Sequence, residues 1–190
     1  MDFYHVTLFL HITTLLVAAG ATAVTKLAIG RRARGRTVGE VLDWHNVAMG
    51  AAKLFPICLA AFVITGAYML SVNRINAWST GFVVAGLVGV VLLLMSGVFL
   101  ATKGKVLKQR LEGMAKDGAD QPAPTLTPGP FVGALPFINS AIALSVAFDM
   151  VTKPLSIPVA VSVVAIGIAL GAAIGMRRPA AAAQRAPAAS

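Results

Sequence analysis

Five unbroken apolar runs, each long enough to cross a lipid bilayer as a helix, constrain this 190-residue chain more than any other feature. A spanning helix needs about 20 predominantly apolar residues. The runs lie at about 3–29, 47–72, 80–102, 134–152 and 157–176. Hydrocarbon offers the backbone no hydrogen-bond partner, so each run must satisfy its own peptide groups by coiling. A closed barrel is the other solution, but it needs alternating polarity along each strand, and these runs are apolar on all sides. The expected fold is an all-α membrane protein: a bundle of five transmembrane helices, made of a four-helix core and a C-terminal fifth. Residues 1–178 are expected to form a single transmembrane helical domain. The Ala/Pro-rich stretch 179–190 is expected to be a disordered tail.

Charge supports the same class. Only 12% of the residues are charged and 57% are hydrophobic, against about 25% and 45–50% in a soluble domain. The formal charge of +9 raises nucleic acid as a partner. The Lys and Arg residues, however, sit in short segments between apolar runs, where they orient helices and attract anionic headgroups. The expected partner is membrane lipid, with no nucleic acid. Lys26, Arg31, Arg32, Arg34 and Arg36 follow helix one, and Arg74 alone follows helix two. Lys103, Lys105, Lys108, Arg110 and Lys116 follow helix three, Lys153 alone follows helix four, and Arg177, Arg178 and Arg185 follow helix five. Basic connections stay in the cytoplasm. The expected topology is N-terminus outside and C-terminus cytoplasmic, multi-pass in the bacterial inner membrane. Met1 to His5 lacks a basic signal-peptide region, so helix one is expected to be retained. Cys58 is the single cysteine, which excludes an intrachain disulfide and a cysteine-cluster zinc site.

Local patterns add detail. Thr37-Val38-Gly39-Glu40 fits a capping box. Val38, Val41, Leu42 and His45 then share a face, so a short amphipathic helix should lie at the membrane surface and lead into helix two. Trp44 suits that interface. Pro56 should kink helix two, and Lys53 should snorkel to the headgroups. Helix three should continue past the membrane through Val106, Leu107 and Leu111. Residues 120–130 read as an irregular loop.

The candidate functional groups are few. Gly167, Gly171 and Gly175 recur every fourth residue on helix five and form a smooth stripe for close helix approach. That stripe serves either packing within the chain or contact with other membrane subunits. His5 and His11 lie about 120° apart around helix one and about 9 Å apart in depth, so together they do not grip one small ion. His45 sits at the opposite surface. A haem held by two histidines needs ligands facing each other at similar depth, which no pair here offers. A haem b held by His11 with Met69 or Met150 is open. The alternative for His11 is a hydrogen bond to a neighbouring helix at Thr65 or Ser145. Asp149 and Lys153 are four apart near the outer end of helix four and should form an ion pair. With Asp2 and His5 at similar depth, the outer rim of helices one and four is where ionisable groups converge. His5, His11, Asp149 and Lys153 are therefore the candidate cofactor-binding set, the alternative being an ordinary polar rim. Phosphate-cradling loops, nucleophile elbows and paired histidines on one helix face are absent from the sequence. No catalytic residue or metal cluster is assigned.

Leu10-His11, Gly20, the Arg31 to Arg36 loop, Thr65-Gly66 and Met150-Val151-Thr152-Lys153-Pro154 together resemble an uncharacterised bacterial family of predicted integral membrane proteins. The resemblance covers about residues 3–154, and helix five lies outside it. That family is distantly similar to the copper-resistance membrane protein D group and to the membrane protoporphyrinogen oxidase group. The inner-helix polar residues of the latter have no counterpart here. The resemblance implies a membrane helical bundle and keeps haem or copper handling among the expected functions. The leading expectation is a non-catalytic membrane subunit or scaffold within a larger complex, as in an electron-transfer chain. The alternatives are a haem- or metal-handling protein using His11, and a small transporter or proton conduit.

Overall fold

The computed structural model describes residues 3–76, 78–126 and 129–177. Asp2 and the 179–190 tail lie outside the described residues. Six α-helices follow in order: α1 (Phe3–Arg32), α2 (Val38–Ala52), α3 (Leu54–Val72), α4 (Gly81–Asp117), α5 (Pro130–Thr152) and α6 (Ile157–Met176). No strand occurs among the described residues. Five stretches are long and apolar enough to cross a membrane: α1, α2 with α3, α4, α5 and α6.

The helix ends have local causes. Thr37 caps α2 by accepting from the Glu40 amide at 3.3 Å, and the Glu40 carboxylate accepts from the Arg36 amide at 2.9 Å. The surface helix expected around residues 38–45 thus runs straight into the second apolar run. The break comes at Lys53 instead. Pro56 has no N–H to give the Ala52 carbonyl, and its ring crowds that carbonyl, so α2 ends at Ala52 and α3 restarts at Leu54. Helix α4 carries on without interruption through Leu111 to Asp117. Helix α5 begins at Pro130, four residues before the expected start at 134. Proline fits a first helical turn because its missing N–H would have no partner there. The helix stops when Lys153 turns left-handed at φ 49°, its amide donating to the Asp149 carbonyl at 2.8 Å. Pro154 then prevents continuation.

The chain forms two compact units. The first contains residues 1–76 and 97–125. Here α1 packs on α2 and α3. Thr7, Ala21 and Ala28 are the buried positions of α1, at multiples of seven residues, which keeps one narrow seam of small side chains facing its neighbours. Val38, Val41, His45 and Ala48 bury one face of α2, and Leu111 is fully buried on α4. A backbone clip closes this unit. Val38 N–H donates to Gln121 O at 3.0 Å, Gly39 N–H to Ala119 O at 2.9 Å, and Ala123 N–H to Arg36 O at 2.8 Å. The start of the irregular 120–130 segment is therefore tied to the α1–α2 turn.

The second unit contains the described residues of 77–96 and 126–190. Its core is Ala85 of α4 with Ala160 and Val164 of α6, flanked by Val146 and Ile168. The α6 glycine stripe lies against α5. A Cβ on Gly175 would sit 2.5 Å from Ala134 Cα, and one on Gly171 would sit 2.8 Å from Ile138 Cα. At Gly167 it would collide with Ser145 Oγ. Of the two roles open to this stripe, the structure uses it for packing within the chain.

Candidate functional site

The described polar groups fall into three places. The first is on α1. His11 Nδ1 lies 2.7 Å from Thr65 Oγ1, and the Thr65 hydroxyl donates back to Ala61 O at 2.6 Å. With the hydroxyl hydrogen committed to the helix backbone, the network assigns the proton to His11 Nδ1, which donates to Thr65. Nε2 then carries the lone pair. Phe62 meets the imidazole edge to face at 4.6 Å, and Gly66 leaves the space beside His11 Cε1 clear. Of the two hydrogen-bond partners open to His11 from sequence, Thr65 is the one used. An imidazole fixed at Nδ1 with a bare Nε2 is the form that ligates haem or metal. The groove on this α1–α3 pair, lined by Leu10, Thr14, Val17, Ile57, Cys58 and Ala61 among others, holds about 180 Å³. That is less than the roughly 300–1,000 Å³ of most cofactor pockets. His5 is exposed on the first turns of α1, with its ring against Tyr4 at 5.8 Å.

The second place was not legible as a site. His45 is 2% exposed. Arg32 Nη1 donates to its Nδ1 at 2.8 Å, and its Nε2–H donates to Gly104 O at 3.0 Å. A guanidinium only donates, so Nδ1 must accept and the ring must be neutral. One side chain thus joins the end of α1, the middle of α2 and the far half of α4. Gly104 also leaves room for the Met49 side chain, whose Sδ would lie 2.7 Å from a Cβ at that position. Arg31 covers the Trp44 ring at 5.9 Å.

The third place is the end of α5. Asp149 is fully buried, and neither carboxylate oxygen has a hydrogen-bond partner among the described residues. The ion pair expected with Lys153 does not form. Spacing of four residues brings side chains together only on a continuing helix, and Lys153 has already left the helix as an exposed left-handed cap. Met150 reaches α4, with its Cε near Gly86. Further along α5, Asn139 Oδ1 accepts from Ser96 at 2.8 Å.

The four-residue set proposed from sequence is therefore divided. His5 and His11 belong to the first unit, Asp149 and Lys153 to the second. Among the described residues, no three or more His, Cys, Asp or Glu side chains are grouped to hold a metal ion. No protein-family model, curated protein or solved structure matches the chain.

Proposed function

We propose that the protein is a non-catalytic integral membrane subunit or scaffold that packs against a larger membrane complex, such as one of an electron-transfer chain. One observation carries this reading: the hydroxyls within the apolar stretches mostly donate to carbonyls of their own helix, as Thr14, Thr22, Thr25, Ser140 and Ser162 do, and the contacts between two side chains there join one helix to another. His11 meets Thr65, and Ser96 meets Asn139. Only 11–22% of the most apolar window of each span is buried within the chain, which leaves wide apolar surface for lipid and partners. Because α5 occupies the glycine face of α6, a partner would meet α6 on its opposite side, at Ile166, Leu170 and Ile174. The alternation of basic and nearly uncharged connections supports an N-terminus outside and a C-terminus in the cytoplasm of a bacterial inner membrane. A cysteine introduced at Arg34 should resist an impermeant thiol reagent in intact cells, and ready labelling there would reverse this orientation.

A second reading has its own support. The Nδ1 bond to Thr65 leaves His11 Nε2 free, as an axial haem ligand requires. One purification separates the two readings. Gentle extraction from native membranes, followed by native mass measurement and an absorbance scan, should give a complex heavier than the chain alone and no Soret band. A bare monomer would defeat the subunit reading. A Soret band lost in His11→Ala would establish the second.

A further inference from the structure

Within the second unit the ionisable groups are unusually sparse. Residues 130–152 of α5 contain one titratable side chain, Asp149. Residues 81–96 of α4 and 157–176 of α6 contain none, and neither does the 154–156 connection. The charges nearest in sequence are Lys153, which is exposed and unpaired with it, and Arg177 at the far end of α6. Asp149 lies on the α5 face that carries Ala134, Ala141 and Ser145 onto the α6 glycines. Its exposure is 0%, and both oxygens lack a donor.

An ionised carboxylate buried there would have no cation or N–H among the described residues to replace its hydration, and burial of a bare charge is the costliest arrangement available to a side chain. A metal cation would need several more oxygen ligands, whereas the side chains on the facing stretch of α6 are apolar apart from Ser162. A proton needs only the carboxyl itself. We propose that Asp149 is a proton-binding site, whose buried carboxyl holds one proton and stays uncharged between the packed helices.

Infrared spectroscopy of the full chain in lipid bilayers at neutral pH tests this. A protonated side-chain carboxyl gives a C=O stretch well resolved from that of a carboxylate. The wild type should show this band, and Asp149→Asn should lose it entirely. Labelling the wild type with side-chain ¹³C-aspartate must also shift the band, which shows without recourse to a variant that it belongs to an aspartic acid. A wild-type spectrum with no carboxylic-acid band would overturn the proposal. So would a band that the label fails to move, or one that the substitution fails to remove.

Discussion

In the unit containing α1, α2 and α3, helices are joined by side chains that reach across and hydrogen-bond: Arg32 to His45, His45 to Gly104, and His11 to Thr65. In the other unit, α5 and α6 are joined by missing side chains, with Gly167, Gly171 and Gly175 letting one backbone settle onto another. Both are answers to one problem. Lipid tails are as apolar as leucine, so burying apolar surface does not by itself bring helices together in a membrane. What remains is dispersion at close range or hydrogen bonds between helices. The first set of contacts relies on a few specific atoms being present, the α5–α6 contact on atoms being absent. Substitutions should therefore damage them in opposite ways: truncation in one, enlargement in the other.

The largest effect is expected from enlargement. Gly175→Leu would force a side chain into a space where even a Cβ meets the Ala134 backbone. Overpacking of this kind costs about 3 kcal/mol, readable as reversible unfolding in mixed micelles. Gly30→Ala, at a position with nothing within 4 Å, is the control and should be silent. If Gly175→Leu unfolds like the wild type, close packing is not what holds α6.

Next comes truncation in the other unit. His45→Ala removes the acceptor from a half-buried guanidinium and should cost about 2 kcal/mol. A double-mutant cycle with Arg32→Ala sharpens the point, because two linked residues give less than additive losses. Full additivity would dissolve the proposed link between α1 and α2.

The smallest effect should come from Thr65→Val, which removes one interhelical bond of a kind worth about 0.6 kcal/mol in membranes. The same substitution frees His11 Nδ1. A loss several times larger would mean that Thr65 also positions His11 for a ligand.

The apolar runs made the spans readable because length and composition alone decide them. Helix α6 matches its expected bounds, 157–176, since its run is apolar to both ends. The start of α5 was missed because Pro130 and Gly133 look like loop residues when no helix is assumed around them. The Lys53 break was readable only as a kink at Pro56. Within the candidate site, the His11–Thr65 bond was legible as one of two partners, because both residues sit in apolar runs with few polar alternatives. The His45 link was not, because it depends on a backbone carbonyl 59 positions away. The Asp149–Lys153 pair failed because helical spacing was carried one residue past the helix. The clip between residues 36–39 and 119–123 joins backbone to backbone, and so leaves no trace in side-chain pattern.

That clip also dictates an order of manufacture. Three of its bonds need residues 119, 121 and 123, which leave the ribosome only after the whole of α4. The early helices must therefore wait in the bilayer, with the buried surfaces of α2 unsealed, until a later stretch arrives to lock them. A nascent chain halted before Ala119 would carry α1 to α4 complete and still lack every bond of the clip.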